Sequence, residues 1–211
     1  MAAAHSGAAY AFVTLVTTDD YLPAALVAAH SLRLAHSHSS LFNIDLVALV
    51  TPATLSVQTI RVLLTVFDRV IGVEPLGNSD NLALLGRIDL GMSAGAALTK
   101  LHTWRLTDYQ KIVYLDADVL VLKPLAHLFA SPHAFAAAPD TGWPDIFNSG
   151  VMVLTPSEDT FAGLLELAAN TGSWDGADQG LINEYFGGEV GSGSEGQGGG
   201  WTRLGFTYNT T

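Results

Sequence analysis

The first third of the sequence constrains the fold most, because short apolar runs alternate there with stretches of helical periodicity. Runs rich in β-branched and aromatic residues predict strands, and leucine and alanine at helical spacing predict the helices between them. The predicted strands cover 10–17, 43–50 and 69–73, and the predicted helices cover 22–32 and 55–67. Asp20 is predicted to cap the first helix. This β-α-β-α-β order predicts a parallel sheet with crossover helices.

The remaining sequence continues the α/β pattern after an interruption at 74–95, whose glycines predict a loop region near a site, with short helical pieces. Residues Thr155-Pro156-Ser157-Glu158 form a predicted capping box with proline at the first helical position. Further strands are predicted at 112–115, 135–138 and 150–154, and further helices at 98–106, after 155–158 and at 177–186. The whole pattern predicts an α/β fold with a mainly parallel sheet flanked by helices.

The charge balance restricts the partners that the chain can bind. The net charge is −11, with nine Lys and Arg against twenty Asp and Glu. A nucleic-acid binder needs a basic face to displace counterions, so we expect no nucleic-acid partner. An anionic sugar nucleotide would need a cation and a few placed basic groups to offset its charge.

Cysteine usage and the N-terminus bear on the chemistry and the compartment. The chain has no cysteine, which excludes disulfides, thiolate chemistry and Cys-ligated zinc. The first basic residue is Arg33, so the charged start of a secretory signal is missing. The longest early apolar run, 24–29, is too short to cross a bilayer. We therefore expect a cytoplasmic location and no membrane association.

The leading candidate site is Asp116-Ala117-Asp118, which follows an unbroken apolar strand. Ligands of parallel α/β sheets bind beyond the carboxyl ends of strands, and two carboxylates there can share a hard divalent cation. Such a cation would neutralise a diphosphate leaving group. The alternative is that both residues are turn formers at a strand end.

Two further polar segments are weaker candidates. Asp175-Gly176-Ala177-Asp178-Gln179-Gly180 combines small residues, which let backbone approach a ligand, with two carboxylates. The alternative is an aspartate helix cap followed by turn glycines. Phe147-Asn148-Ser149-Gly150 could hydrogen-bond sugar hydroxyls, but it also fits a plain turn before a strand.

Basic residues are scarce, so Arg87 and Lys100 are candidates for phosphate contacts. A solvated surface charge explains each of them equally well when it is taken singly. His36-Ser37-His38 ends a predicted helix in a polar stretch, and we predict that it lies on the surface.

Taken in order, these segments resemble the family 8 glycosyltransferases, and in particular the glycogenin group of that family. The resemblance covers residues 10–186 and continues more weakly through 206–209. The stretch Gly142-Trp143-Pro144-Asp145, with Phe147-Asn148-Ser149-Gly150-Val151, is far more specific than the Asp-X-Asp triplet. The other matching segments are 11–15, 25–27, 66–68, 98–102, 116–118, 120–122, 137–140, 175–176 and 178–180.

The resemblance implies a GT-A fold, which is Rossmann-like, and transfer of glucose from UDP-glucose with retention at the anomeric carbon. It implies Mn²⁺ as the cofactor, with Mg²⁺ as an alternative, held by Asp116 and Asp118. The acceptor would be a protein tyrosine and then the growing glucan, so that glycogen synthesis is primed. A homodimer is implied, and glycogen synthase is a partner of full-length family members.

The resemblance also carries roles onto individual residues. Asp178 is the candidate catalytic carboxylate, and Lys100 is the second predicted catalytic residue. The residues predicted to bind UDP-glucose are Leu15, Thr17, Thr18, Tyr21, Arg87, Lys100, Asp116, Ala117, Asp118, Asn148, Ser149, Asp175, Asp178 and Gln179.

The sequence departs from the family pattern in two respects. Thr18 stands where the family usually has Asn, which puts one base or ribose contact in doubt. The third metal ligand of the family, a histidine in a later HxxGxxKPW-like segment, and the acceptor tyrosine would both fall after Thr211. Tyr208 matches a different family tyrosine. We therefore expect a fragment whose metal site is incomplete.

The domain organisation follows from composition and from the matched segments. Residues 1–9 are predicted to be a disordered N-terminus, and 10–186 a nucleotide-sugar-binding glycosyltransferase domain. Residues 187–200 are low in complexity and have almost no apolar side chains, so they predict a flexible, disordered loop. Residues 201–211 would be an incomplete C-terminal part of the same domain.

Two other functions remain open from the sequence. One is a different family 8 transferase with another UDP-sugar, acting on a small-molecule or glycan acceptor. The other is a non-catalytic scaffold that binds a UDP-sugar or a glucan but has lost turnover through truncation.

Overall fold

A computed structural model of the chain describes residues 7–36, 41, 43–76 and 98–210. The described residues form a seven-stranded sheet with helices packed on both faces. Its strands are β1 Tyr10–Val16, β2 Ile44–Val50, β3 Arg69–Gly72, β4 Lys111–Leu115, β5 Phe135–Pro139, β6 Phe147–Leu154 and β7 Thr202–Arg203. Its α-helices are α1 Leu22–Ala35, α2 Val57–Val66, α3 Glu158–Asn170 and α4 Asp178–Phe186. Short 3₁₀ helices cover Asp19–Tyr21, Thr99–Arg105, Ala126–Ala130 and Phe206–Tyr208.

The strand order is β3-β2-β1-β4-β6-β5-β7. The four adjacent strands β3, β2, β1 and β4 all run parallel to one another, and β7 runs parallel to β5. Strand β6 is antiparallel to both β4 and β5. Its direction follows from the short link 140–146, because a parallel crossover needs a dozen or more residues. The predicted α/β fold with a mainly parallel sheet is therefore confirmed, with one reversed strand.

Alternation along the strands divides the core into two layers. Ala11 and Val13 of β1 face the layer that contains α3, α4 and the 3₁₀ helix Thr99–Arg105. Phe12 and Val16 face the layer that contains α1 and α2. Because both faces of the central strands are covered, these strands are apolar almost throughout, as the sequence suggests.

Strand and helix positions agree with prediction to within a few residues, but two predicted caps are wrong. Asp20 lies in a 3₁₀ turn, and α1 begins without a side-chain cap. The neighbouring Asp19 instead accepts a hydrogen bond from the backbone N–H of Ser56, at 2.9 Å. At α3 the cap is Ser157, which accepts from the N–H of Thr160 at 3.1 Å, and not Thr155.

Two other predictions need correction because tertiary contacts override local patterns. The predicted strand 150–154 begins earlier, so residues 147–149 are the first part of β6 and not the plain turn that their composition also fits. His36, predicted at the surface, is only 4% exposed. Its Nδ1 donates to the carbonyl of Leu32 at 2.8 Å, and its Nε2 accepts from the N–H groups of Leu125 and Ala126 at 2.8 and 3.1 Å. These bonds satisfy the ring inside the core.

The glycine-rich segment 187–200 follows a definite path where its composition predicts a disordered loop. The N–H groups of Gly196 and Gly200 donate to the carbonyl of Phe186 at 2.7 and 3.0 Å. Gly187 has φ 68°, which favours glycine, and a Cβ there would stand 2.2 Å from Gly196 N. The side chain of Trp201, which follows the segment, is fully buried. Backbone hydrogen bonds and this one anchor replace the apolar side chains that the segment lacks.

The predicted helix 98–106 is the 3₁₀ helix Thr99–Arg105, and it is buried along nearly its whole length. Most of the predicted loop at 74–95 lies in 77–97, outside the described residues. Arg87 lies outside them as well. Among the helices that the structure describes, none is both long and apolar enough to cross a membrane.

Candidate active site

A cavity of about 390 Å³ opens at the carboxyl ends of β1 and β4. These two parallel strands are neighbours although they are far apart in the chain, so the cavity lies where the direction of strand order changes. Such a switch point is the usual ligand site of an open α/β sheet. The cavity is lined by Leu15, Thr17, Thr18, Tyr21, Lys100, Tyr114, Asp116, Ala117, Asp118 and Asp178. All of these residues except Tyr114 belong to the predicted donor site.

The β1 side of the cavity is a short loop between the strand and α1. The carbonyl of Thr17 accepts hydrogen bonds from the hydroxyls of Thr51 and Thr54, at 3.2 and 2.6 Å, which tie the loop to the end of β2. The carbonyl of Thr18 accepts from the N–H of Tyr21 at 3.2 Å. Tyr21 is 47% exposed beside the opening, so its aromatic side chain is available to a planar ligand group.

The β4 side carries the acidic pair. The N–H of Asp116 donates to the carbonyl of Gly150 at 2.9 Å, which continues the pairing of β4 with β6. Oδ1 of Asp116 accepts from the Tyr114 hydroxyl at 2.9 Å and from Lys100 Nζ at 3.1 Å. The second carboxylate, Asp118, is exposed. The pair thus combines one oriented carboxylate with one that is open to solvent.

Lys100 is the central cation of the described site. Its residue is 5% exposed, and Nζ lies 2.7 Å from Asp178 Oδ2 and 3.1 Å from Asp116 Oδ1. Burial alone would lower the pKa of Lys100, but the charges of Asp116 and Asp178 outweigh it and raise this pKa. The ammonium therefore stays charged and links the end of β4 to the start of α4.

The start of α4 brings Asp178 and Gln179 to β6. Oδ2 of Asp178 accepts from the Ser149 hydroxyl at 2.6 Å. Oε1 of Gln179 accepts from the Ser149 N–H at 3.2 Å. Asn148, the preceding strand residue, donates through Nδ2 to Asp140 Oδ2 at 3.3 Å. The structure therefore gathers these four predicted residues into one polar network next to the cavity.

Asp175 has a structural role that its sequence context left open. Its Oδ1 accepts from the Ser173 hydroxyl at 2.5 Å and from the Ala177 N–H at 2.8 Å, and its Oδ2 accepts from the Gly180 N–H at 2.8 Å. The side chain caps α4 from outside the helix. Its predicted contact with the sugar remains a prediction.

Sequence reasoning missed three polar residues of this site. Asp140 Oδ1 accepts from the N–H groups of Gly142 and Trp143 at 2.9 and 3.1 Å, and its Oδ2 also accepts from Gln179 at 3.2 Å. Burial would raise the pKa of Asp140, but these hydrogen bonds and the one from the Asn148 side chain outweigh it and lower the pKa. Asp140 thereby joins the turn at Trp143 to the network. Its place in the matched segment 137–140 was the available signal.

Asn209 and Tyr114 are the other two missed residues. Asn209 Nδ2 donates to Asn148 Oδ1 at 2.6 Å, which brings the 206–210 segment to the site. Burial, followed by the charges of Asp116, Asp178 and Asp118, raises the pKa of Tyr114 well above its ordinary value, so that its hydroxyl remains a donor. Tyr114 stands two residues before Asp116 and so on the same face of β4, which was a usable signal.

The carboxylates at the end of β4 fit a hard divalent cation. Asp116 and Asp118 are two carboxylates one residue apart, and a cation such as Mg²⁺ needs only one or two carboxylates when phosphates and water complete its shell. No set of three acidic or histidine ligands occurs among the residues that the structure describes. Three carboxylates and one ammonium line the cavity, so an anionic ligand needs added positive charge there.

The fold is that of the GT-A glycosyltransferases. A solved structure of the galactosyltransferase LgtC in complex with donor and acceptor sugar analogues superposes with a TM-score of 0.62, at 20% identity, covering 82% of this chain and 69% of that one. Residues 12–211 match the family described as glycosyl transferase family 8, and the chain belongs to that family.

Glycogenins of several organisms are among the curated proteins that this chain resembles. The chain is 49% identical over 221 residues to a glycogenin of Cryptococcus neoformans, covering 95% of this chain and 23% of that protein. It is 48% identical over 178 residues to human glycogenin-1, covering 83% of this chain and 48% of that protein. The chain thus spans only 23% and 48% of the length of these two relatives. The predicted family resemblance is confirmed.

Proposed function

We propose that the chain is the donor-binding and catalytic part of a glycogenin-type glucosyltransferase that uses UDP-glucose. The observation that carries the proposal is the Lys100 ammonium, held between Asp116 and Asp178 in the cavity at the end of β4. It joins the predicted metal-binding carboxylate to the predicted catalytic carboxylate. The similarity to glycogenins over most of the chain supports glucose as the sugar.

The proposed donor spans the cavity from β1 to α4. The loop after β1, with Leu15, Thr17, Thr18 and Tyr21, would hold uridine, and Asp116 and Asp118 would hold Mn²⁺ or Mg²⁺. When bound, the cation supplies positive charge that stabilises the departing diphosphate. Arg87, which lies outside the described residues, is proposed to add a phosphate contact.

The glucose is proposed to lie against the network that joins β6 to α4. Amide, hydroxyl and carboxylate groups of this kind match sugar hydroxyls in number and chemistry. The residues concerned are Asn148, Ser149, Asp175, Asp178 and Gln179, with Asp140 behind them. Asp178 is the proposed catalytic carboxylate, and the Lys100 ammonium beside it is proposed to face the diphosphate.

The acceptor is proposed to be a protein tyrosine and then the growing glucan, in a homodimer that works with glycogen synthase as a partner. The test is to incubate the protein, in a form that includes the acceptor tyrosine that the resemblance places after Thr211, with UDP-glucose and Mn²⁺ and to record its intact mass. A ladder of hexose additions supports the proposal. Release of UDP without mass gain would indicate another acceptor or plain hydrolysis, and binding of UDP-glucose without either outcome would indicate a scaffold.

Asp178→Asn tests the catalytic role within the same assay. Asn keeps an acceptor for the Ser149 hydroxyl but removes the negative charge, so we expect UDP release to fall by about 10²–10⁴-fold while UDP affinity stays. Asp159→Asn on the exposed start of α3 is the control and should keep the wild-type rate. Wild-type turnover by Asp178→Asn would remove Asp178 from the catalytic residues.

A further inference from the structure

Tyr114 is a buried polar residue that the proposed chemistry does not yet use. It is the fourth residue of β4, it is 1% exposed, and it lines the cavity. A tyrosine hydroxyl in a strand core costs free energy unless it finds a partner. Here the partner is Oδ1 of Asp116, at 2.9 Å.

Lys100 meets the same carboxylate oxygen. Its Nζ lies 3.1 Å from Asp116 Oδ1 and 5.2 Å from the centroid of the Tyr114 ring. The ammonium therefore sits over the aromatic face while the hydroxyl of that ring reaches the same oxygen. This arrangement gives Oδ1 two donors from the protein, one charged and one neutral.

The other carboxylate oxygen has a different neighbour. A Cβ built on Gly150 would stand 3.3 Å from Asp116 Oδ2 and 3.0 Å from Asn148 Oδ1, so glycine avoids crowding both oxygens. The two oxygens of Asp116 are thus unequal, because Oδ1 is held by buried donors and Oδ2 lies against a residue without a side chain. A carboxylate held in this way cannot rotate freely about its last side-chain bond.

The two donors differ in what else they do. Lys100 also pairs with Asp178 at 2.7 Å, so its position is a compromise between two carboxylates. The Tyr114 hydroxyl donates to Asp116, and its ring is fixed by the sheet. A neutral hydroxyl orients the carboxylate without cancelling the negative charge that a cation needs, whereas a second ammonium would cancel it.

We propose that Tyr114 is a positioning residue that orients Asp116 for a divalent cation and thereby sets the affinity of the site for that cation. The inference rests on the proposed function, in which Asp116 and Asp118 hold the cation beside the donor diphosphate. It adds a residue that acts through Asp116 and does not itself contact the cation.

The test is the affinity of the full 211-residue chain for Mn²⁺ in the presence of UDP, measured for Tyr114→Phe by electron paramagnetic resonance of free Mn²⁺. Partners that orient a metal ligand typically change affinity by about 10–100-fold when they are removed. We expect a loss of about tenfold, since Lys100 still holds Oδ1. UDP affinity in EDTA should stay at the wild-type value.

Tyr109→Phe is the matched control. Tyr109 is also buried, and its hydroxyl donates to a buried carboxylate, Asp45 Oδ2, at 2.7 Å. It precedes β4, at the opposite end of the strand from the cavity. Both variants should lower the melting temperature, but only Tyr114→Phe should lower Mn²⁺ affinity and the rise in melting temperature on adding Mn²⁺ with UDP.

Each outcome decides a different question. Unchanged Mn²⁺ affinity in Tyr114→Phe, with UDP-dependent binding in the wild type, would overturn the inference and leave the proposed function standing. Equal losses of Mn²⁺ affinity in both variants would also overturn it, because the effect would then come from general destabilisation of the sheet. A wild-type chain without UDP-dependent Mn²⁺ binding would overturn the proposed function and the inference with it.

Discussion

Lys100 and His102 lie two positions apart in the 3₁₀ helix Thr99–Arg105, and burial affects their charges in opposite ways. Lys100 has two carboxylate partners, which keep it protonated. His102 donates through Nε2 to the carbonyl of Glu74 at 2.9 Å, and its Nδ1 accepts from Arg105 at 3.3 Å. Burial lowers the pKa of His102, and the neighbouring Arg105 adds to this effect. The histidine is therefore neutral in the folded chain at pH 7.

This neutrality predicts a pH dependence of stability. The lowered pKa means that the unfolded chain binds a proton at His102 more readily than the folded chain does. The free energy of unfolding should thus fall as pH drops below about 6.5 and should stop falling, for this group, below the folded-state pKa. Urea unfolding between pH 7.5 and 5 measures this decline, and His102→Gln should reduce it. Equal slopes for the two proteins would contradict the prediction.

At the residue scale, the sequence predicted the cavity lining well because strand ends and acidic pairs are local features. It could not show that the Lys100 ammonium would lie between Asp116 and Asp178, since the three come from separate elements. Tyr114 was missed because an aromatic residue in an apolar strand is expected to be part of the hydrophobic core. The prediction that His36 lies on the surface was wrong because its partners, the N–H groups of Leu125 and Ala126, lie about ninety positions away in the sequence.

At the scale of elements, α4 matters most, because its first residues carry Asp178 and Gln179. The helix begins at Asp178, and the Asp175 carboxylate accepts from the N–H of Gly180 in its first turn and from the N–H of Ala177 just before it. Gly180, inside the helix, packs against that carboxylate. A Cβ on Gly180 would stand 2.3 Å from Asp175 Oδ1 and 2.6 Å from the Ser173 hydroxyl. Glycine is thus required here by close approach and not by backbone conformation.

Gly180→Ala has two opposing effects on stability, because alanine favours the helix but its Cβ would clash with the Asp175 carboxylate. Propensity alone would stabilise the chain by about 1 kcal/mol. We expect the clash to win and to lower the free energy of unfolding by about 1–3 kcal/mol, as overpacking does. Displacement of the cap should also weaken UDP-glucose binding, because Asp178 and Gln179 move with the helix start. Chemical denaturation and calorimetry measure the two effects.

Gly163→Ala on α3 is the matched control for the site effect. A Cβ there would stand 2.7 Å from the Tyr185 hydroxyl, at the contact between α3 and α4. It should lower stability without changing affinity for UDP-glucose. Stabilisation by Gly180→Ala, or equal loss of affinity in both variants, would contradict the assigned role of the cap.

Element positions were predictable from periodicity, whereas caps and strand direction were not. Ser157 caps α3 and Thr155 does not, although both fit the local pattern. Strand β6 begins at Phe147, three residues before its predicted start. With the earlier start the link from β5 is too short for a crossover, which fixes the antiparallel direction. The polar residues Asn148 and Ser149 hid that start because they suggest a turn.

At the scale of the whole molecule, the segment 187–200 connects α4 back to the far edge of the sheet. Its amides bond to the last residues of α4, and the following residues Thr202–Arg203 pair with β5 as β7. Composition could not predict this path, because the bonds involve backbone and the anchor, Trp201, lies just outside the segment. The overall α/β class was predictable, since the β-α-β-α-β pattern at the start leaves few topologies.

The path of this segment predicts hydrogen-exchange protection. The N–H groups of Gly188, Gly196 and Gly198 donate to the carbonyls of Ser194, Phe186 and Tyr185 at 2.7, 2.7 and 2.8 Å. Their exchange should be at least about tenfold slower than in the same chain unfolded in urea. Exchange at the unfolded rate would show that the segment is a disordered loop, as its composition suggests.

The position of β1 between β2 and β4 has a consequence for synthesis on the ribosome. Tyr10 pairs with Ile44 on one side and with Lys111 on the other. The first three strands can therefore assemble early, but one edge of β1 stays open until residues 111–115 have left the exit tunnel, which exposes that edge to wrong partners. Since the cavity lies between β1 and β4, it is incomplete during that interval, and no nucleotide can bind there to stabilise the nascent N-terminal half.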